Sequence, residues 1–205
     1  MGIITRNINL KLIGVKTMSN LIAPVGGGSS YAQVPIAQNL HAVCFAIAAI
    51  GDAPQQEFNT GKTVMVPTVF LGFSCGNDEE GREMTIWKRY RFSYNERAAL
   101  RKDLEMWRDR DFSDEEIKKF PLSNILGRRC TICTDTTSGG NPKITKIKPE
   151  RDGNELEAEN KFIYDRDDPE QAHFDELPKF IQDLVGKEES EIADPMAENV
   201  SNIPF

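Results

Sequence analysis

The sequence predicts a mainly β domain with a small helical insert over residues 36–150, in the order β-β-β-α-β-β. Three observations predict it. Five short segments are rich in β-branched, aromatic or small apolar residues and are bounded by turn residues. Between the third and fourth the apolar period changes, and Leu100, Leu104 and Trp107 recur at helical spacing. Charge then divides the chain: residues 1–149 hold 20 Lys+Arg against 15 Asp+Glu, whereas residues 150–205 hold 5 against 17.

Residues 1–35 predict a flexible segment. Met18 opens a second candidate start, and Asn7, Asn9 and Lys11 interrupt any secretory hydrophobic run. Residues 24–35, with Gly26-Gly27-Gly28-Ser29-Ser30, read as a linker. Residues 41–50 suit a buried strand, and residues 51–62 are turn-rich. Residues 63–73 form the second strand, where Pro67 lacks a ladder donor and favours an edge or a bulge. Asn77 to Gly81 is a hairpin loop, and residues 83–93 make the third strand.

An amphipathic helix follows from about Asn95, a candidate N-cap, to Arg110. Ser113 with Glu116 has capping-box spacing and opens a short helix through Phe120, which Pro121 stops. Leu122 to Gly127 predicts one further turn. Residues 129–134 and 143–148 are the last two strands, joined through Ser138-Gly139-Gly140-Asn141. A five-stranded barrel with its helix between the third and fourth strands has the order of an OB-fold; two closed sheets or an α+β sandwich fit the same string. Residues 151–185 predict an acidic extension with a short helix near Leu177 to Val185. Residues 186–205 predict a disordered acidic tail.

Composition excludes some classes. No apolar run approaches the ~20 residues of a membrane span, and the longest, Ala42 to Ile50, is strand length. Nothing else in the sequence points to secretion, so the expectation is a cytoplasmic protein in which Cys44, Cys75, Cys130 and Cys133 are reduced and mostly buried.

The third strand carries the strongest signal for chemistry. Strand alternation puts Trp87, Arg89 and Arg91 on one face and Ile86, Lys88, Tyr90 and Phe92 on the other. A ring beside two guanidinium groups is what a single strand of nucleic acid needs, because bases stack on rings while cations meet phosphates. Lys143, Lys146 and Lys148 on the fifth strand, with Arg128 and Arg129 before the fourth, are candidates for the same basic groove.

Other patterns point to no site. Gly61-Lys62-Thr63 lacks the glycine at position 56 that a phosphate-binding loop requires, since Gln56 stands there. Cys130 and Cys133 have metal-like spacing without a second pair, so no metal or other cofactor is expected. His41 and His173 lie in different surroundings, and no nucleophile-base grouping is visible, so the chain reads as a binding protein and not an enzyme.

The tail ends in Ile203-Pro204-Phe205 after the acidic run Glu188-Glu189-Ser190-Glu191. In this it resembles the bacterial single-stranded DNA-binding protein family. That resemblance implies that Ile203, Pro204 and Phe205 dock on replication and repair proteins. Val200-Ser201-Asn202 stand where the family has an acidic triplet. A second resemblance covers roughly residues 41–149. Lys88-Arg89-Tyr90-Arg91-Phe92-Ser93, Leu100-Arg101-Lys102-Asp103-Leu104, Trp107-Arg108, Phe112-Ser113-Asp114-Glu115-Glu116 and Leu126-Gly127 look like a family of small phage proteins of the replication and recombination region. Together these imply a phage single-stranded DNA-binding protein of OB-fold type, working in the host cytoplasm and able to form homo-oligomers. The alternatives are a phage interaction protein that modulates a host factor, and an enzyme of the recombination module.

Overall fold

The computed structural model describes residues 32–57, 59–168 and 172–186. The expectations for residues 1–31 and 187–205 lie outside them. The fold is mainly β: six strands in one sheet, with short helices. β1 (Leu40–Gln56), β2 (Thr63–Asn77) and β3 (Glu83–Arg91) form an antiparallel meander. α1 (Ala99–Arg108), α2 (Asp114–Lys118) and a 3-10 turn (Leu122–Ile125) follow. β4 (Arg129–Thr136) and β5 (Pro142–Pro149) form a hairpin that attaches to β1 through β4. The path β3-β2-β1-β4-β5, with the helix between β3 and β4, is the OB order that the sequence predicts. β3 and β5 come close to one another, but no ladder joins them among the described residues, so the barrel is not closed there.

β1 decides the architecture. It is built of small apolar residues that can be buried on both faces. Two register shifts against β2, at Phe45 and at Ile50, interrupt its alternation. Before and after the first, Ala42, Cys44 and Ile47 share the barrel core, while Ala46, Ala48, Ile50 and Ala53 belong to a second core on the opposite face. Gly51 completes the second shift with φ +71, and a Cβ there would stand 2.8 Å from Arg166.

The barrel core collects Val69, Leu71 and Phe73 from β2, Ile86 and Tyr90 from β3, Cys130 and Ile132 from β4, and Ile144 and Ile147 from β5. α1 adds Leu100, Leu104 and Trp107 at the spacing that the sequence predicts. A polar tie fixes α1 against β3. Lys88 Nζ and the Tyr90 hydroxyl both donate to Asp103 Oδ2 at 2.7 Å. Burial, then the Asp103 charge, push the Tyr90 pKa up, so its proton stays in place to be donated.

The second core was not legible beforehand. β6 (Phe162–Asp165) runs parallel to Ala46–Ala49 of β1, taking over the edge that β4 occupies only at Leu40–Val43. Phe162 and Tyr164 point into β1, and Leu177 and Ile181, around the four-residue α3 (Lys179–Gln182), cover them. The acidic extension thus packs against the body as far as Val185. Four residues with two buried rings are too short to declare a period amid charged neighbours.

Local differences have local reasons. β1 continues through the turn-rich segment to Gln56, beyond which Glu57 N–H donates to the Lys62 carbonyl and Gly61 N–H to the Glu57 carbonyl. Asn95 does not cap α1. Its carbonyl accepts from Ala98 N–H in a turn of its own, and Ala98 is the N-cap, with no side-chain hydrogen bond. Ser113 does cap α2, accepting from Glu116 N–H at 3.2 Å. Pro67 lies within β2, but its carbonyl accepts from Phe92 N–H. Its donor-less nitrogen therefore faces the same side, just past the last residue of β3.

All four cysteines are buried thiols, and burial pushes Cys44 and Cys75 up to about 12. No helix among the described residues is long and apolar enough to cross a membrane.

Two tests follow from this packing. Ile181→Ala removes a fully buried side chain from the second core, and should cost about 2–5 kcal/mol in urea unfolding. Stability equal to the parent would show that the extension does not pack on β1. The thiols should resist an aromatic disulfide reagent at pH 8 in the native chain and all four should react in denaturant; rapid labelling of the native chain would contradict their burial.

Candidate nucleic-acid interface

β3 delivers the row that its alternation predicts. Ile86 and Tyr90 enter the barrel, Lys88 turns to Asp103, and Trp87, Arg89 and Arg91 lie on the outer face. The second core changes what that face offers. Trp87 is half-buried beneath it: its ring meets Phe45 edge-on at 5.3 Å and Phe162 at 6.5 Å. It lies across Gly72, where a Cβ would come within 3.0 Å of both the Trp87 and Phe45 rings. Trp87 is therefore a packing residue with limited free surface, not the open stacking platform that the sequence predicts.

Arg89 stays exposed and is held in place. Its Nη2 donates to the Pro54 carbonyl at 2.8 Å, and its guanidinium stands 6.0 Å from the Phe70 ring. Partial desolvation lowers its pKa, yet an arginine remains charged. Beside it opens a cleft of about 640 Å³ lined by Gln55, Arg89, Arg91, Ser93, Asn95, Arg97 and the start of α1. No carboxylate lines it. Arg91 and Arg97 form no ion pair among the described residues, and the first turn of α1 contains no acid. Three guanidinium groups, amides and hydroxyls around one concavity make a surface of hydrogen-bond donors suited to phosphate. Ring surface lies close in sequence: Phe92, directly after Arg91, is 40% exposed and meets Tyr94 edge-on.

Arg128 and Arg129 lie in a different place. They line a pocket of about 790 Å³ at the C-terminal end of α1, with Arg108, Arg110, Lys119 and Asn124. Its floor is apolar: Trp107, Phe112, Phe120 and Ile125. Trp107 Nε1 donates to the Arg129 carbonyl at 2.9 Å, which fixes the indole. The Arg129 guanidinium is engaged by the Leu156 carbonyl at 2.8 Å and by Glu157 at 3.4 Å. Arg108 and Arg110 share Glu116, whose pKa the Arg108 hydrogen bond lowers.

The lysines occupy a third location. Lys143 and Lys146 are exposed on β5, and Lys148 Nζ donates to Asn39 Oδ1 at 3.0 Å and to the Gln38 carbonyl. The eight candidate residues thus fall into three groups: Trp87, Arg89 and Arg91 by the β3 cleft, Arg128 and Arg129 by the α1 pocket, and the lysines on β5. Ile203, Pro204 and Phe205 lie outside the described residues.

Sequence reasoning missed Arg97, Gln55, Arg108, Arg110 and Lys119. A helix begun at Asn95 makes Arg97 one more helical charge. Only the turn from Phe92 to Ala98 carries it back beside Arg91. The helical arginines were legible as charges between apolar positions, but the pocket they line exists only once α2 and β4 close around α1.

For metals, Cys130 and Cys133 do not converge. Cys130 sits in the barrel core, while Cys133 Sγ donates to the Gln38 carbonyl. Among the described residues no group of three or more His, Cys, Asp or Glu side chains could hold an ion. His41 pairs with Glu150 at 3.1 Å, and His173 stacks on Phe162 and pairs with Glu176. Compared with known proteins, the chain matches no family model, no curated protein and no solved structure.

Proposed function

We propose that this chain binds single-stranded DNA with little regard to sequence, and that the cleft at the end of β3 is where the strand is held. The supporting observation is the set of three arginines around a concavity free of carboxylates, on a sheet of OB order. Phosphates meet Arg89, Arg91 and Arg97. Bases stack on Phe92 and on the guanidinium planes, contacts that every base can make. Lys143 and Lys146 add long-range attraction on β5, the neighbouring strand across the open seam. No chemical step belongs to this reading. Affinity comes from counterion release and stacking, so it falls with salt.

Part of the outer face of β2 and β3, where an OB sheet presents its strands to a ligand, is covered by the second core, in which Phe70 and Trp87 pack. The reading therefore places the strand at the margin of that face, along the exposed side of β3. The acidic tail, by its resemblance at Ile203-Pro204-Phe205, recruits replication or repair proteins during phage replication and recombination.

Titrating oligo-dT at several salt concentrations tests the cleft. Arg91→Ala and Arg97→Ala should each weaken binding about tenfold at low salt, the cost of one charge-assisted contact. Each should also flatten the slope of log K against log salt by about 0.7. Parental affinity in a folded Arg89→Ala/Arg91→Ala/Arg97→Ala variant would remove the cleft from the interface. Trp87→Ala should act first on stability, by roughly 1–3 kcal/mol, as its ring closes the second core. A variant that unfolds at the parental urea concentration yet has lost oligo-dT binding would restore Trp87 as a stacking platform.

A further inference from the structure

The pocket at the C-terminal end of α1 lies outside the β3 cleft, and nothing in the proposed binding mode uses it. Its charge is unbalanced: five cations line it against the single carboxylate of Glu116, which two of them already share. Lys119 and Arg128 have no acidic partner among the described residues. Arg108 is already engaged: its guanidinium stacks on the Phe112 ring at 3.9 Å and pairs with Glu116, and its Nη1 is buried without a hydrogen-bond partner there.

The pocket pairs this donor set with flat apolar surface. Phe120 stands half-buried at the wall, and Trp107, 8% exposed, packed on Phe73 and with its only polar atom already bonded, lies beneath. An anion carrying a ring matches both halves, and the volume falls within the range of small-ligand sites. A peptide added by backbone pairing does not fit, because β4 is already paired with β1 and with β5.

We infer that this pocket is a second ligand site, and that it takes a nucleotide: the phosphate between Lys119 and Arg128, the base against the Phe120 ring at the wall, above the buried Trp107. The inference rests on the proposed function only in its choice of a nucleotide as the ring-bearing anion.

The full chain labelled with 5-fluorotryptophan gives one resonance for each of Trp87 and Trp107, assigned with Trp87→Phe. Titration with thymidine 5′-monophosphate should shift the Trp107 resonance saturably and leave Trp87 in place. Thymidine and inorganic phosphate, each carrying half the chemistry, should bind at least about tenfold more weakly. Arg128→Ala and Lys119→Ala, both exposed positions, should each raise the dissociation constant about tenfold, while Arg91→Ala should not change it. No saturable shift of Trp107 up to millimolar nucleotide, or equal shifts in Arg128→Ala, overturns the inference. So does saturation by an acidic peptide with no response to nucleotide, which would make the pocket a protein contact. Loss of oligo-dT binding to the β3 cleft, with the Trp107 response intact, would overturn the proposed function and leave this site standing.

Discussion

Everything in this fold depends on β1 being buried on both faces. A strand with one wet face could hold a barrel, but it could not also serve as the floor of a second core. The residues of β1 permit the double burial because they are small and carry no charge between Ala42 and Ile50. Its two register shifts produce it, since each moves the following residues to the other side of the sheet. β1 also spends its free edge twice, first on β4 and then on β6. Hydrophobic burial on both sides at ~25 cal/mol per Å² makes β1 the element whose loss would undo the most packing.

The second core sets where charge can collect. With β6 and α3 against the outer face of β1 and β2, Trp87 and Phe70 become partners of Phe45, Phe162 and Phe180. The arginines of β3 lie at the edge of that apolar layer, Arg89 within 6.0 Å of the Phe70 ring. Arg89 anchors on Pro54, and Arg91 and Arg97 gather where β3 turns toward α1. At the other end of α1, α2 and the start of β4 bring a second set of guanidinium groups over an aromatic floor. A helix of ten residues thus separates two positively charged concavities by roughly 15 Å along its axis.

The acidic extension has two roles that its composition hides. Its apolar minority, Phe162, Tyr164, Leu177 and Ile181, is buried against β1. Its charged majority faces outward, and part of it ties down Arg129 of the body: Glu157 reaches the guanidinium, and the Leu156 carbonyl accepts from it. That is why Arg129, equivalent to Arg128 in sequence, is not equivalent in the structure.

Local patterns carry the order of the first five strands with their helix, and the alternation of β3, because period-2 and period-3.6 patterns need no partner to be read. Ile86 and Tyr90 inward, Leu100, Leu104 and Trp107 on one helix face, and the Ser113 cap all follow from neighbours a few residues apart. Which cations meet depends on packing between distant segments. Arg97 joins Arg89 through a turn, Arg108 joins Arg128 through helix docking, and Trp87 loses its open face to Phe162, seventy-five positions away. Long-range contacts of this kind arise when two segments bury the same apolar surface, and no property of either segment alone records the encounter.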